Sequence, residues 1–534
     1  MSSLPANASS RSEQLPSEAI SELTRVLPDY LTSQRWYRAK ARVLREVKVC
    51  DQIPMREANA YVLIVRVEYA DGEPDTYLLP AAFSTGDLRP SNIIARLQSQ
   101  DGSEAILHGA LDEARFRDLL LESISCERTF EGQEGSLAFR RTQALDRECS
   151  GATPPIESFV TRAQQSNSSV IYRDRYILKI FRKLESGINP DIETGRFLTE
   201  RGFRNTPAVL GEIQYRPKQG DAGYAGILQR FVPNQGDAWE FTLESLAGFF
   251  DRALREQQLP ARVSGHPLEL AGQELPALAR QMVGEYIESA KLLGTRTAEM
   301  HRALEDENGG PDFRPEPFTR DYAERLHREM IHEADRAFEL LKGSQEAIQD
   351  GAGQSVRKLI ELEGKIRDRF SAIKTQPVTA VRIRHHGDYH LGQVLHTGDD
   401  FLIIDFEGEP ARPLADRRVK TLAMRDVAGM IRSFSYAAYA ALFGQVAGVP
   451  TDAEHREAVE AWGAFWSRWV SAEFLKAYFE IAASAAFAGE SGQERRLLFD
   501  AFVLQKALYE VAYELNNRPD WVRIPLRGIL NLIG

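Results

Sequence analysis

The stretch RHHGDYHLGQVLHTGDDFLIIDFEGEP, residues Arg384 to Pro410, contains the strongest signal in the chain. A His-Gly-Asp turn ends in Asp388, and an amide, Gln393, follows five residues later. The apolar run from Phe401 to Ile404 predicts a short strand that leads directly into Asp405. A bare Gly-Asp or Ile-Asp is more often part of an ordinary hairpin whose polar residues cap turns. The three polar groups in this order, with a strand before the last, favour a functional loop instead.

Phosphoryl transfer needs this set of groups. One carboxylate must lie near the acceptor hydroxyl to orient it and to accept its proton, and an amide oxygen with a second carboxylate must hold Mg²⁺ on the nucleotide phosphates. Asp388 is placed for the first role, and Gln393 and Asp405 are placed for the second. The sequence therefore predicts a catalytic carboxylate at Asp388 and a magnesium site at Gln393 and Asp405.

A second signal lies upstream, where YILKIF places Lys179 inside an apolar strand. A buried ammonium is costly unless it meets a counter-charge. A strand lysine of this kind contacts the α/β-phosphates and pairs with a glutamate on a helix. Glu193 lies on the next predicted helix, which Asn189 should cap. If the lysine instead lies on an exposed strand face, the pattern has no functional meaning.

A weaker signal is QSNSS, residues 165–169, which precedes a strand but contains no glycine. Small hydroxyl side chains and backbone N–H groups can still hold phosphate, so Ser166 and Ser168 are candidate nucleotide contacts. A plain polar turn explains the segment equally well. If the phosphotransferase interpretation holds, Gln229, Phe231 and Val232 would belong to the segment whose backbone meets the nucleotide base.

Composition narrows the class of protein. The chain has 534 residues, a net charge of −11 and three cysteines without metal-ligand spacing. The acidic balance argues against nucleic-acid binding, and the cysteines suggest a reducing compartment. The first twenty residues resemble a disordered tail rather than a targeting segment, and charges interrupt every apolar run. We therefore expect a cytoplasmic protein that neither spans a membrane nor binds nucleic acid.

One helix near the C-terminus, predicted over residues 505–517, presents a mixed aromatic and charged face. Lys506, Tyr509, Glu510 and Tyr513 fall on that face at about 100° per residue. Aromatic rings suit the C–H faces of sugars, and polar groups suit their hydroxyls. The pattern alone is equally consistent with a solvated outer face.

The distribution of predicted elements indicates an α+β protein in four segments. We expect a disordered tail over residues 1–20, a small α+β unit over 21–130, a strand-rich lobe over 131–235 and a mostly helical lobe over 236–534. The Pro- and Gly-punctuated segment over 257–273 is typical of an insertion.

Five stretches resemble the bacterial maltokinases, which are kinases of the aminoglycoside-phosphotransferase type. The resemblance covers nearly the whole chain and rests on QSNSSVIYRDRYILKIFRKLESGINPDIETGRFL, HGDYHLGQVL, LIIDFEGEP, RDVAGMIRSFSYAAYA and KALYEVAYELNNRPDWVRIPLRGI. RWYRAKAR, from Arg35, resembles the start of their N-terminal cap, although relatives often carry glycine after the tryptophan. The resemblance implies a two-lobed, protein-kinase-like fold with an extra N-terminal α+β cap.

That resemblance also implies an activity: transfer of the ATP γ-phosphate, with Mg²⁺, to the anomeric hydroxyl of maltose, which feeds α-glucan synthesis from trehalose. It implies that Asp388 is catalytic, that Gln393 and Asp405 bind Mg²⁺ and that the aromatic helix face binds sugar. Trehalose synthase becomes a candidate partner. By contrast, Arg425 and Asp426 are expected to tie down the catalytic loop rather than to touch sugar.

Two alternatives stay open. A kinase of another sugar or amino sugar, such as glucose or glucosamine, would share the catalytic string. A non-catalytic module that docks a trehalose-converting enzyme belongs to a different class of protein, and the intact Asp388, Gln393, Asp405 and Lys179 argue against it.

Overall fold

The chain folds into two units. The computed structural model describes residues 3–4, 15, 17–84, 93–99, 104–148, 156–161, 167–344, 352–410 and 412–533. One unit comprises Met1–Pro233 with Arg412–Asp416, and the other comprises Asn234–Ala411 with Arg417–Gly534. Within the described ranges, every helix is too short or too polar to cross a membrane.

The first unit is built on two sheets. Its strands are β1 (Ser3–Leu4), β2 (Leu44–Met55), β3 (Ala60–Tyr69), β4 (Asp75–Ser84), β5 (Ile93–Ser99), β6 (Glu104–Gly109), β7 (Thr129–Glu131), β8 (Gly135–Arg141), β9 (Ser158–Val160), β10 (Asn167–Tyr172), β11 (Tyr176–Phe181), β12 (Lys183–Leu184), β13 (Val209–Pro217) and β14 (Gly223–Arg230). Its helices are α1 (Ser17–Ser33), α2 (Ala114–Ser125), α3 (Gln143–Glu148) and α4 (Pro190–Glu200). The first sheet runs β1-β5-β6-β4-β3-β2 with β12 paired to β4, and the second runs β7-β8-β13-β14-β11-β10-β9.

The alternation in AYVLIVRVEY explains how the first sheet is packed. Leu63, Val65 and Val67 point to one face and pack in the core beneath α1. Val62 and Ile64 point to the opposite face and join the core shared with α2 and the second sheet. Because both faces are buried, β3 tolerates polar residues only towards its end.

Helix α1 corrects one prediction. The apolar spacing over residues 20–27 predicts a short helix with Pro28 just beyond its end, but the helix runs from Ser17 to Ser33 with Pro28 inside it. Leu23, Leu27 and Leu31 are fully buried at helical spacing against the first sheet. Burial of this apolar stripe outweighs the hydrogen bond that an internal proline removes.

The second sheet carries the predicted lysine strand. Strands β10 and β11 pair as a hairpin from Asn167↔Phe181 to Tyr172↔Tyr176. Helix α4 follows, and the side chain of Asn189 accepts the backbone N–H of Asp191 at 2.9 Å, which confirms the predicted N-cap.

The second unit is mostly helical. Its helices are α5 (Ala238–Ala253), α6 (Pro267–Ala271), α7 (Ala277–Val283), α8 (Tyr286–Leu304), α9 (Gly310–Phe313), α10 (Arg320–Gly343), α11 (Ala352–Glu361), α12 (Glu363–Thr375), α14 (Met424–Ala440), α15 (Arg456–Ala482), α16 (Gly492–Asn517) and α17 (Arg523–Ile533), while the short α13 (Leu414–Arg417) crosses the boundary between the units. A small hairpin of β15 (Val394–His396) and β16 (Phe401–Ile403) interrupts the helices. The predicted insertion over 257–273 contains only the one-turn α6.

Candidate active site

The loop that carries Asp388 is held by a buried carboxylate. Gly387 has a φ of +88°, which lets the chain turn sharply before Asp388. The backbone N–H groups of His386 and Gly387 donate to the two carboxylate oxygens of Asp426, at 2.7 and 3.0 Å. His301 Nε2 lies 3.1 Å from the same carboxylate, which is 1% exposed. The prediction that Asp426 ties down this loop is confirmed.

The ionisation of Asp426 follows from these contacts. Burial alone raises the pKa of the Asp426 carboxyl, but the hydrogen bond from His301 and the neighbouring imidazoles outweigh burial and lower that pKa below its ordinary value. Asp426 is therefore a carboxylate throughout the neutral range and accepts hydrogen bonds permanently.

Helix α14 supports the loop at two further points. Ser433 Oγ accepts the backbone N–H of Leu391 at 3.1 Å. A Cβ added to Gly429 would lie 2.4 Å from the carbonyl oxygen of Tyr389. Only glycine therefore permits this approach of helix to loop, and α14 fixes the loop on both sides of Asp388.

Asp388 itself is partly open, with 22% of its side chain exposed. Lys506 Nζ lies 3.5 Å from its Oδ1, and His390 Nε2 lies 4.0 Å from its Oδ2. Burial lowers the pKa of His390, against the opposing attraction of Asp388. Of these two neighbours of Asp388, Lys506 therefore supplies the positive charge, and His390 is mainly neutral at neutral pH.

Gln393 and Asp405 lie at the same end of the β15–β16 hairpin. The backbone N–H of Ile404, which precedes Asp405, donates to the Gln393 carbonyl at 3.0 Å. Asp405 has a φ of +60°, an uncommon conformation for a residue other than glycine. An amide oxygen and a carboxylate are hard oxygen donors of the kind that Mg²⁺ prefers. The side chains of Gln393 and Asp405 therefore fit their predicted role as Mg²⁺ ligands.

The predicted sugar-binding face lies on α16. The rings of Tyr509 and Tyr513 stack at a centroid distance of 6.5 Å and an angle of 21°. Lys506 Nζ lies 5.0 Å from the Tyr509 ring, and Tyr513 is 45% exposed. Burial, followed by the negative charge of Glu409 and then by the hydrogen bond that the Tyr509 hydroxyl donates to it, raises the pKa of Tyr509 above its ordinary value. Lys506 links this aromatic surface to Asp388.

Glu510 differs from its neighbours on α16. It is buried, and its Oε2 accepts two hydrogen bonds from Arg432, at 2.9 Å from Nε and 2.6 Å from Nη2. In this structure the carboxylate of Glu510 is thus engaged with an internal cation.

In the first unit, Lys179 faces α4. Its side chain is 14% exposed, and its Nζ lies 3.9 Å from Oδ2 of Asp191, a fully buried carboxylate. Glu193 follows on the first turn of the same helix and is half-buried. Sequence reasoning did not identify Asp191; a second acidic residue in the first turn was the signal that could have found it.

The other predicted nucleotide contacts are also in the first unit. Ser166 lies outside the described residues. Ser168 is buried in β10, and its Oγ accepts Arg182 Nε at 2.9 Å. Gln229 is buried near the end of β14, and the backbone N–H of Phe231 donates to the backbone carbonyl of Arg175 at 2.8 Å. Val232 follows, and the unit ends at Pro233.

The known proteins that this chain resembles include glucosamine kinases, and one segment matches a maltokinase domain. The maltokinase N-terminal cap domain model matches residues 30–112. A glucosamine kinase from Mycolicibacterium smegmatis is 24% identical over 68% of this chain and 76% of its own length, and one from Streptacidiphilus jiangxiensis is 23% identical over 72% and 75%.

Solved structures show the same fold. A glucosamine kinase in complex with glucosamine, ADP and inorganic phosphate superposes with a TM-score of 0.59 at 18% identity, over 95% of this chain and 99% of that one. A second crystal structure of a glucosamine kinase gives 0.60 at 19% identity, over 98% and 99%. The predicted resemblance to maltokinase-like proteins and the predicted fold class are confirmed.

Proposed function

We propose that this chain is an ATP-dependent carbohydrate kinase that transfers the γ-phosphate to the anomeric hydroxyl of maltose. The observation that carries the proposal is the contact between Asp388 and Lys506, 3.5 Å apart. It joins a loop of phosphotransferase type to a helix that presents stacked tyrosine rings. The cap domain match and the kinase relatives support a carbohydrate kinase.

In the proposed reaction, Asp388 orients the acceptor hydroxyl and accepts its proton as the new P–O bond forms. The bond between the γ-phosphorus and the bridging oxygen breaks, and ADP takes the electron pair. Gln393 and Asp405 would hold Mg²⁺, which would supply positive charge to the nucleotide phosphates. Lys179, in the first unit, is the proposed nucleotide contact that its strand pattern predicts, and Asp191, 3.9 Å from its Nζ, would orient it.

Maltose is the proposed acceptor because the stacked Tyr509 and Tyr513 rings extend away from Lys506 along α16. One sugar ring beside Asp388 and a second ring on Tyr513 would use this length. An acceptor of one ring beside Asp388 would place no sugar on the exposed ring of Tyr513.

Glucosamine is the second candidate. The relatives with this substrate in their names favour it, and so does the carboxylate of Glu409, which accepts the Tyr509 hydroxyl and could pair with a sugar ammonium. The ammonium of Lys506, beside both Asp388 and the Tyr509 ring, opposes it, because this cation would repel the ammonium of a glucosamine bound there.

ADP release with maltose, glucose and glucosamine, each with and without Mg²⁺, tests the proposal. We expect Mg²⁺-dependent release with maltose above the rate without sugar. Faster release with glucosamine would favour the second candidate. A non-catalytic module that docks trehalose synthase predicts no sugar-dependent release, and that result would overturn the kinase assignment.

A further inference from the structure

Arg432 is a buried cation that binds the carboxylate of Glu510. It is 3% exposed, in the middle of α14, and both of its hydrogen bonds to Glu510 are short enough to be strong. A buried ion pair often adds little net stability compared with apolar residues of similar volume. This pair therefore calls for an explanation other than stability.

The turn of α14 that carries Arg432 also holds the catalytic loop. Ser433, the next residue, accepts the backbone N–H of Leu391, three residues after Asp388. One turn further along both helices, the Tyr436 hydroxyl donates to Glu514 at 3.1 Å. The same turns of α14 thus contact both the Asp388 loop and α16. Two successive polar contacts, from Arg432 and from Tyr436, hold α16 against α14.

Glu510 lies one helical turn after Lys506 on α16. A change in the position of Glu510 along its helix axis would therefore be transmitted to Lys506 and Tyr509, because helix backbones move as rigid segments over one turn. We propose that the Arg432–Glu510 pair is a positioning device that sets the distance between Asp388 and the acceptor-binding face of α16. This inference rests on the proposed function, and it gives Glu510 a positioning role in place of the sugar contact that the sequence suggested.

The structure offers a way to disturb Arg432 without removing either charge. Helix α17 packs over Arg432 through Gly528, and a Cβ added there would lie 2.1 Å from Nη1 of Arg432. The substitution Gly528→Ala must therefore displace the guanidinium. Gly364, on α12, provides a matched control, because a Cβ added there meets no atom within 4 Å.

Steady-state kinetics with both substrates varied, on wild type, Glu510→Gln, Gly528→Ala and Gly364→Ala, tests the inference. Displacement of groups around the acceptor by a fraction of an ångström to 1 Å should lower kcat/KM for the sugar on the order of 10- to 100-fold. We expect this loss in Glu510→Gln and in Gly528→Ala, with KM for ATP unchanged, and wild-type kinetics in Gly364→Ala. Rates are expressed per folded molecule, measured by near-ultraviolet circular dichroism.

The outcomes separate the alternatives. If Glu510 touches sugar directly, Glu510→Gln will lose sugar affinity while Gly528→Ala keeps it, and the positioning role is overturned. If the pair is merely structural, both variants will melt earlier but turn over normally when folded, which also overturns it. Absence of turnover by wild type with every sugar would show that the proposed function itself has failed.

Discussion

Removal of the Asp426 carboxylate should damage stability and activity together. Asp426→Ala leaves the buried N–H of His386 and the partly buried N–H of Gly387 without their acceptor, since both donate to this one side chain. His301 loses its carboxylate partner as well. The loop before Asp388 is then free to relax, so kcat should fall although Asp388 is intact.

The size of the effect follows from these contacts. Each buried donor left without a partner costs about 1–3 kcal/mol. The two buried groups, the N–H of His386 and the ring of His301, should therefore lower the free energy of unfolding of this unit by about 2–6 kcal/mol, and the partly buried N–H of Gly387 adds less. The native pKa of Asp426 lies below its ordinary value of about 4. The stability that the Asp426 carboxylate contributes is therefore fully present above that ordinary pKa, and it is lost as pH falls through the native pKa. The stability gap between wild type and Asp426→Ala should therefore be constant from about pH 7 down to about pH 5 and narrow below about pH 4.

Urea denaturation at several pH values, together with kcat, measures both effects. Asp388→Asn is the matched control for the stability measurement alone, because its side chain is partly exposed and lies in the same loop. A variant at Asp426 with wild-type unfolding free energy, or a gap that widens as pH falls, would refute this account of the loop.

The remaining predictions concern the loop, the metal ligands and the sugar face. Asp388→Asn should keep its melting temperature and lose nearly all transfer, because an amide cannot accept the hydroxyl proton; near-full turnover would remove Asp388 from the catalytic role. Asp405→Ala should abolish Mg²⁺-dependent activity while Gln393→Ala raises the Mg²⁺ requirement, since only Asp405 offsets metal charge; equal losses in a metal titration, independent of Mg²⁺, would contradict both assignments. Tyr513→Ala removes a stacking surface worth about 1 kcal/mol, so KM for maltose should rise several-fold with KM for ATP unchanged, and an unchanged maltose KM would reject this placement of the sugar. Gly429→Ala would by helix propensity alone stabilise the protein by about 1 kcal/mol, but the new methyl would meet a loop carbonyl at 2.4 Å, so we expect lower thermal stability and lower kcat, and a more stable, fully active variant would disprove the close packing.

Local patterns predicted the elements well where one physical effect dominates. Strand β11 begins at Tyr176 and ends at Phe181 as the apolar run indicates, and the cap at Asn189 is present as expected. Pro28 misled the prediction because the apolar stripe of α1 is stabilised by a sheet far away in sequence, and a local rule about proline does not include that burial.

The partners of the site residues were harder to predict for the same reason. Sequence spacing indicates that Glu510 shares a helix face with Lys506, but it contains no information that Arg432, on another helix, lies opposite Glu510. The sequence likewise does not show which way the side chain of Lys179 points, so it could not identify Asp191 as the partner of this lysine. The roles of Asp388, Gln393 and Asp405 remain predictions from the order of residues in one loop, with a geometry that fits them.

The identity of the acceptor and of its phosphorylated hydroxyl tests the central claim most directly. Phosphate on the anomeric oxygen blocks the reducing end of the sugar, so ADP release and loss of reducing ends can be followed in the same reaction with maltose, Mg²⁺ and ATP. The account predicts that the two are equimolar and that both stop in Asp388→Asn. ADP release with reducing ends preserved would place the phosphate elsewhere, and turnover with glucosamine but none with maltose would contradict the proposed acceptor.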